Sequence, residues 1–240
     1  EAGYMDRVIM WGELRAEMLV SSRASSDQSN MLSGYLVPTS SIVNWSSFYK
    51  TINYCNTVLQ FGKTAQAVDP TFTDYQLKIY DGEALTIRAL SYFFLVRNFK
   101  EVPLILTATL NDNANFYVPK NTESEIIDQI ITDLKSALNN VPEGYAESVQ
   151  YDKGRITKGA VLAILADVYL WGNRFDDCIN ACNAVRNLNK YQLVEGTEWF
   201  DQIFFKGNSS DGIFELQFDA IFGTLRNYYY VTNPTFKVYS

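Results

Sequence analysis

Apolar residues recur every three or four positions along most of this chain, which is the spacing of one face of an α-helix. The pattern predicts a first helix from about Met5 to Val20 and a second from about Ile42 to Gly62, whose last residue would serve as the C-terminal cap. A third helix is predicted from about Asp69-Pro70 to Asn98, with Asp at the cap and Pro in the first turn. Because this third segment is apolar on most sides, we expect it to lie at the centre of a mainly α-helical fold.

Three more helices are predicted in the second half of the chain. Thr122 followed by Glu125 has the spacing of a capping box, and the helix that it begins should end before Val141-Pro142. Fifth and sixth helices are predicted from about Thr157 to Trp171 and from about Phe175 to Leu188. Together these segments predict pairs of helices joined by short turns.

Polar segments separate the helices, and two of them are too long to be simple connections. The first runs from Ser21 to about Ser41, and the second is the tail from Asp219 onwards. Long loops of this kind in compact domains often bind ligands. A shorter polar loop is predicted from Asn111 to Lys120. Ile213 to Phe218, in contrast, alternates apolar and polar residues, which predicts a short β-strand.

Composition excludes several classes of function. The chain has no histidine, which excludes Ser-His-Asp and Cys-His catalysis and zinc sites that need imidazole. A net charge of -7 gives an acidic surface that repels phosphate backbones, so no nucleic-acid partner is expected. We expect no cofactor and no metal ion.

Two features bear on the membrane. No stretch reaches the roughly 18 apolar residues of a membrane-spanning helix. We expect no signal peptide in this sequence either, because Glu1-Ala2-Gly3-Tyr4 opens in the manner of a helix interior, and the sequence stops at Tyr239-Ser240 without a closing element. We therefore expect a part of a longer protein.

The fifth and sixth helices resemble a degenerate tetratricopeptide repeat, in which small residues let two helices approach and aromatic rings fill the space between them. The first helix of the pair supplies Leu162, Leu165-Ala166 and Tyr169. The second supplies an aromatic residue and three smaller ones: Phe175, Cys178, Cys182 and Val185. This register explains two of the three cysteines as packing residues, and we expect the third, Cys55, to be a core thiol as well.

Five segments, in order, resemble the SusD/RagB family. The first four are helical, and the last is the predicted strand. They are Trp45-xx-Phe48-Tyr49-xx-Ile52-xx-Cys55-Asn56; Glu83-Ala84-xxx-Arg88-Ala89-xx-Tyr92-Phe93-x-Leu95-Val96-xx-Phe99 with Val102-Pro103-Leu104; Ile130-xx-Asp133-Leu134-xx-Ala137 with Val141-Pro142; Gly154-Arg155-Ile156-Thr157-Lys158-x-Ala160 with Leu165-Ala166-x-Val168-Tyr169-Leu170; and Ile213-Phe214-Glu215-Leu216-Gln217-Phe218.

The resemblance implies a fold and a setting. The fold would be mainly α, a SusD-like fold with tetratricopeptide-like helix pairs and a few short strands. The protein would be a lipid-anchored lipoprotein on the outward face of a Bacteroidetes outer membrane, seated on a SusC-like TonB-dependent transporter. Its ligand would be an oligosaccharide, or less often a peptide. Residues 1–240 would form one SusD-like domain that lacks the lipidated N-terminal cysteine and much of the C-terminal half.

A glycan needs an aromatic platform for the apolar face of the sugar and planar polar groups for its hydroxyls. Two loops offer both, and the predicted ligand-binding residues in them are Arg23, Asp27, Gln28, Asn30 and Tyr35, and Arg226, Asn227, Tyr228, Tyr229 and Tyr230. Neighbouring Tyr residues in a strand alternate sides, so the last three cannot all face one ligand. For Trp45 we favour a core position, and for Phe116, Tyr117 and Trp199 we favour packing over binding.

Two further functions compete with glycan capture. A glycoside hydrolase would need two carboxylates roughly 5–9.5 Å apart across a cleft, and no pair of acidic residues stands in such a context. We therefore expect no enzyme activity. A cytosolic tetratricopeptide adaptor would bind a peptide in its concave groove, but one degenerate repeat, long loops and an aromatic tail argue against it.

Overall fold

The computed structural model describes residues 2–21, 25–111, 117–217 and 236–238. They fall into two compact units: unit 1 comprises Glu1–Lys50 with Phe218–Ser240, and unit 2 comprises Thr51–Gln217. Helix α3, Ser46–Val68, begins in unit 1 and contributes most of its length to unit 2. Among the described residues, no helix is long and apolar enough to cross a membrane.

Unit 1 consists of short elements. After helix α1 come a π-helical turn, strand β1, helix α2, a 3-10 turn and, much later in the chain, strand β2. Their bounds are Ala2–Ile9, Met10–Leu14, Leu19–Ser21, Ser26–Leu32, Ser41–Val43 and Phe236–Val238. The two strands pair antiparallel, with Leu19 opposite Val238 and Ser21 opposite Phe236.

Aromatic rings form the core of unit 1. Phe48 is completely buried, and its ring stacks on Tyr4 and on Trp11 with centroid distances of 4.2 and 4.8 Å. The indole Nε1 of Trp11 donates a hydrogen bond of 2.9 Å to the carbonyl oxygen of Ile42, which fixes the 3-10 turn against this core. Leu14 is also fully buried.

The prediction of one helix from Met5 to Val20 is wrong in its second half. The helix passes into the π-helical turn at Met10 and ends at Leu14. Glu17 then adopts a left-handed conformation with φ of 60°, which an L-residue does not adopt inside a right-handed helix. The following residues join β1, because pairing with β2 satisfies their backbone groups.

Unit 2 is a set of packed helices. Beside the rest of α3 it contains helices α4 to α8 and a π-helical turn, with the bounds Asp74–Phe99, Glu123–Leu138, Val149–Gly154, Lys158–Trp171, Phe175–Asn187 and Asp201–Lys206. The capping box at Thr122 and Glu125 is confirmed, as are the predicted positions of α7 and α8. Helix α4 is central as expected, since Tyr92, Leu95 and Val96 are fully buried. The sequence did not predict α6.

The predicted boundary between the second and third helices is wrong. Helix α3 continues past Gly62 to Val68, so Gly62 lies inside the helix. A Cβ atom at Gly62 would come within 2.7 Å of a methyl group of Leu77, so the missing side chain lets α3 and α4 approach. Helix α4 is capped by Thr73, whose hydroxyl accepts from the backbone N–H of Gln76, and not by Asp69.

An extended segment, residues 102–109, is held by amide side chains of α3. Asn53 accepts from the backbone N–H of Thr109 at 2.7 Å and donates to its carbonyl at 3.1 Å. One turn further on, Asn56 donates to the carbonyls of Ile105 and Thr107 at 3.0 and 3.1 Å. Tyr92 donates from its hydroxyl to the Ile105 carbonyl at 2.9 Å, and burial raises its pKa to about 12. These contacts satisfy a backbone that has no regular sheet partner among the described residues.

The α7–α8 pair confirms the helical hairpin but corrects the predicted register of its small residues. Leu165 and Tyr169 are buried on α7, as the repeat pattern predicts. On α8, however, Ala181 is the buried small residue, whereas Cys178 is half-buried and Cys182 is exposed. Cys55, in contrast, is a core thiol as predicted, and burial raises its pKa to about 12.

The strand predicted at Ile213 to Phe218 is not formed in the part that the structure describes, which ends at Gln217. Residues 213–217 run without regular structure. The backbone N–H of Glu215 donates to the carbonyl of Lys153 at 2.8 Å, and the Glu215 carboxylate accepts from the backbone N–H of Asn208 at 2.8 Å. The strand was predicted from the alternation of apolar and polar residues alone, but no partner strand is paired with these residues in the described chain.

Candidate ligand-binding surface

The first predicted loop contains helix α2, which the sequence analysis missed. Ser25 caps the helix: its hydroxyl accepts from the backbone N–H of Gln28 at 3.3 Å, and the Gln28 side chain accepts from the backbone N–H of Ser25 at 2.8 Å. The amide of Gln28 also lies 3.8 Å from the sulfur of Met10. The candidate Gln28 therefore builds the turn, and the spacing of Ser25 and Gln28 was the signal that could have revealed it.

Asp27 also has a structural role. Its carboxylate accepts hydrogen bonds from the backbone N–H of Ser41 at 2.7 Å and from the Ser41 hydroxyl at 2.6 Å. These bonds favour the charged form and lower the pKa of Asp27 below its ordinary value. The carboxylate thus ties α2 to the 3-10 turn that follows it, and much of its acceptor capacity is used inside the protein.

Helix α2 ends in a Schellman motif. Gly34 has a φ of 70° and donates from its backbone N–H to the Met31 carbonyl at 3.0 Å, while the N–H of Tyr35 donates to the Asn30 carbonyl at 2.8 Å. This pattern requires a left-handed residue, which glycine adopts without strain. The motif fixes the backbone from which the Tyr35 side chain leaves the helix.

Asn30 and Tyr35 are the candidates that this turn leaves accessible. Tyr35 is 63% exposed. The Asn30 side chain is half-buried and has no hydrogen-bond partner among the described residues, so its amide can both donate and accept. A fixed backbone, an accessible ring and a planar amide are the elements that a sugar-binding surface needs.

The other candidates of both loops lie outside the described residues. They are Arg23 and the group Arg226, Asn227, Tyr228, Tyr229 and Tyr230. Along the chain, each of these two groups is close to one strand of the pair in unit 1. Ser21, the last described residue before Arg23, lies opposite Phe236, the first described residue after the second group.

The weaker aromatic candidates have different outcomes. Phe116 lies outside the described residues. The packing that we favoured for Tyr117 is wrong, because this residue is 95% exposed. Trp199 is 49% exposed, so its packing is partial. Trp45 is half-buried and its ring lies 6.2 Å from that of Tyr49, which only partly matches the predicted core position.

Several carboxylates that an enzyme could have used are engaged in ion pairs. Asp133 is paired with Arg88 at 2.8 Å in the core, and Asp167 with Arg97 at 3.1 Å at the surface. Glu83 receives two bonds from Arg155, at 2.9 and 3.0 Å. Each of these three carboxylates therefore already has a guanidinium partner within the protein.

A groove of about 640 Å³ opens between α3 and α4 within unit 2. Its walls are mostly apolar and include Tyr54, Phe61, Phe72, Tyr80 and Ile87. The volume falls in the usual range of small-molecule sites, but few polar groups converge there to bind sugar hydroxyls. The groove therefore fits a carbohydrate less well than the α2 turn does.

Comparison with known proteins decides the family. Residues 10–170 match the SusD-like family described as "Starch-binding associating with outer membrane". The chain belongs to this SusD-like family. The match covers residues 10–50 of unit 1 and continues through α7 to residue 170, so it includes the α2 turn and most of the helical scaffold.

Individual SusD-like proteins resemble the chain over most of its length. The SusD-like protein P38 of Formosa agariphila is 24% identical over 221 residues, which are 88% of this chain and 41% of that protein. The crystal structure of a SusD-like protein from Bacteroides fragilis is 26% identical, with a TM-score of 0.69, and the match covers 91% of this chain and 44% of that one. A laminarin-binding SusD-like protein is also 26% identical, with a TM-score of 0.67 over 80% of this chain and 43% of that one.

These comparisons confirm the SusD/RagB resemblance and the mainly helical SusD-like fold. The chain spans less than half the length of each of these three relatives. The family is starch-binding and associated with the outer membrane by its own description.

Proposed function

We propose that this protein captures oligosaccharides at a surface built around the α2 turn, without altering them chemically. The observation that carries the proposal is Tyr35, a 63% exposed ring held directly after a Schellman motif. A sugar ring would stack its apolar face on Tyr35 while its hydroxyls bond to the Asn30 amide. Arg23 and the group Arg226–Tyr230 are the further contacts that we propose.

Preorganisation supports this assignment over an incidental exposed tyrosine. The bonds of Asp27 and Gln28 hold the first turn of α2, and the backbone bonds of Gly34 and Tyr35 hold its C-terminal end, so the ring and the amide leave a fixed backbone. Binding then costs little ordering of the loop. The antiparallel pairing of Ser21 with Phe236 supports a shared surface for the two candidate loops, because each loop connects to this end of the strand pair.

Binding measurements on matched tyrosine variants test the proposal. Tyr35→Ala should weaken binding of neutral oligosaccharides on a glycan array and in calorimetry by about tenfold, as for a buried aromatic contact at an interface. Tyr75→Ala is the control, since Tyr75 is 64% exposed but lies on α4 in unit 2. If Tyr35→Ala binds the oligosaccharides as tightly as the control Tyr75→Ala does, the α2 turn is rejected as the binding surface.

The second loop needs its own test. Tyr228→Ala should also weaken binding. If both rings contact one ligand, the double variant with Tyr35→Ala should lose more binding affinity than either single variant. A Tyr228→Ala protein that binds as the unsubstituted protein does would remove the Arg226–Tyr230 group from the site while leaving the α2 turn in it.

We further propose the cellular setting that the family implies. The protein would be a part of one longer SusD-like domain, attached by lipid to the outward face of the outer membrane, and would pass its oligosaccharide to a SusC-like TonB-dependent transporter. Deleting the gene should reduce uptake of the bound oligosaccharide while leaving uptake of the monosaccharide intact. Undiminished uptake at limiting oligosaccharide concentrations would contradict the hand-off.

A further inference from the structure

An aromatic and charged cluster stands at the surface of unit 2, on helices α4, α5 and α7. The guanidinium of Arg97 lies 5.3 Å from the centroid of the Trp171 ring and 5.1 Å from that of Phe93. The same guanidinium is paired with Asp167 at 3.1 Å. The indole Nε1 of Trp171 donates to the carboxylate of Glu123 at 2.9 Å.

The orientation of the Trp171 ring is fixed from several directions. The hydrogen bond to Glu123 holds the indole nitrogen, and the buried ring of Phe93 meets the indole edge to face, with centroids 6.4 Å apart and planes at 85°. Trp171 is nevertheless 40% exposed. The ring is therefore both immobilised and open to solvent, which is the state in which an aromatic side chain binds a ligand at the lowest entropic cost.

Fold stability is a weak explanation for this arrangement. The side chains of Arg97 and Asp167 are 41% and 54% exposed, and exposed ion pairs contribute little to the free energy of unfolding. The same holds for cation–π contacts at exposed sites. Four groups with fixed partners lie at this surface, an arrangement that a ligand can use because their polar atoms are oriented before it binds.

The chemistry of the cluster fits a neutral sugar. The exposed part of the indole offers an apolar surface for C–H groups, Arg97 has N–H donors beyond the one used by Asp167, and two carboxylates can accept from hydroxyls. The cluster carries one guanidinium against the carboxylates of Asp167 and Glu123. An acidic sugar would meet net negative charge there and bind less well.

We infer that this cluster, centred on Trp171, is a second binding site for neutral oligosaccharides, separate from the α2 turn. The inference rests on the proposed function, because it takes the same class of ligand. Arg97 and Asp167 bind the hydroxyls, and Glu123 positions the indole.

Calorimetry with maltoheptaose and laminariheptaose on the purified chain tests the inference. Trp171→Ala should remove one of two sites, or raise the dissociation constant of the weaker site by about tenfold. Trp171→Phe keeps a ring and should retain most of the binding while losing the change in tryptophan fluorescence on titration. Trp199→Ala is the control, because Trp199 is a 49% exposed tryptophan of the same unit outside the cluster.

The outcomes separate the two proposals. If Tyr35→Ala weakens binding and Trp171→Ala does not, the second site is rejected while the α2 turn stands. If Trp171→Ala alone weakens binding, with a circular dichroism spectrum and melting temperature like those of Trp171→Phe, the cluster is a site and the α2 turn is not. No heat of binding for either sugar in the unsubstituted protein rejects both sites for these ligands.

Discussion

At the scale of residues, the most consequential feature is the ion pair of Arg88 and Asp133, which is buried in the core of unit 2. Arg88 is 6% exposed and Asp133 is 3% exposed, and two bonds of 2.8 Å join them. Asn56 accepts a third bond from Arg88 at 2.8 Å, and Gln129 donates to Asp133 at 2.8 Å. The pair therefore connects α3, α4 and α5, and through Asn56 it reaches the extended segment as well.

Removing one partner of this pair should be costly. Arg88→Ala leaves the Asp133 carboxylate buried without its countercharge, and we expect a loss of about 3–5 kcal/mol in the free energy of unfolding. Arg174→Ala, which breaks an exposed pair with Asp128, should cost about 0–1 kcal/mol. Urea denaturation of both variants measures the difference. Equal losses in the two variants would mean that the buried network does not stabilise the scaffold.

At the residue scale, the chemical type of the side chain was the only basis on which the sequence could select binding candidates. Tyr35 and Asn30 were identified because a ring and an amide in a polar segment suit a sugar, and both remain accessible. Asp27 and Gln28 have the same polar character but cap and brace α2. The partners of Asp27 and Gln28 are backbone N–H groups whose positions depend on the turn. Residue type alone therefore could not distinguish these two structural residues from the two accessible ones.

At the scale of elements, close helix contacts depend on glycine. A Cβ atom at Gly82 would come within 2.6 Å of the Val141 side chain, 3.0 Å of Asn140 and 3.3 Å of the Ala137 carbonyl. Glycine in a helix is less favourable than alanine by about 1 kcal/mol, so its presence here reflects packing. Sequence patterns found the helices but not this contact, since the approach of two helices is a tertiary property.

Gly82→Ala should therefore destabilise the protein although alanine favours helix. We expect a net loss of about 1–3 kcal/mol from overpacking between α4 and the end of α5. Gly12→Ala is the matched control, because no atom lies within 4 Å of a Cβ at that position. It should be neutral or slightly stabilising. Thermal melts of both variants measure the effect, and a stabilised Gly82→Ala protein would contradict the packing.

The capping box of α5 makes stability depend on pH. The Glu125 carboxylate accepts from the backbone N–H and hydroxyl of Thr122, which lowers its pKa below the ordinary 4.5. A lowered folded-state pKa stabilises the fold at neutral pH, and this stabilisation is lost as the pH falls through that pKa. Glu125→Gln keeps the capping geometry without the titration.

The melting temperature of Glu125→Gln should accordingly fall less than that of the unsubstituted protein between about pH 5 and pH 3. Thr122→Ala, which removes the cap itself, should cost about 1 kcal/mol at pH 7. If the melting temperatures of Glu125→Gln and the unsubstituted protein fall in parallel as the pH is lowered, Glu125 does not contribute to the acid sensitivity.

Helix prediction was most accurate where a capping residue precedes apolar residues at helical spacing, as at Thr122 for α5 and Thr157 for α7. It failed where a different local structure competes. The left-handed Glu17 ends the first helix early, and β1 forms only because residues more than 200 positions away pair with it. Such long-range pairing leaves no local signal in the sequence.

At the scale of the whole molecule, family membership gives the fold, and the two binding surfaces that we propose lie one on each unit. Unit 1 presents the α2 turn, and unit 2 presents the Trp171 cluster. The SusD-like segments quoted from the sequence lie mostly on the helical scaffold of unit 2. They identify the family well, but they do not identify the binding surface, because the ligand contacts that we propose lie on loops and helix ends.

The central claim is that the protein binds neutral oligosaccharides without changing them. Isothermal titration calorimetry with a panel of starch-type and laminarin-type oligosaccharides, followed by chromatography of the recovered sugar, tests it most directly. We expect saturable binding with a dissociation constant between about 1 μM and 1 mM and recovery of the intact sugar. Absence of binding across the panel, or shortened sugars after incubation with the pure protein, would contradict it.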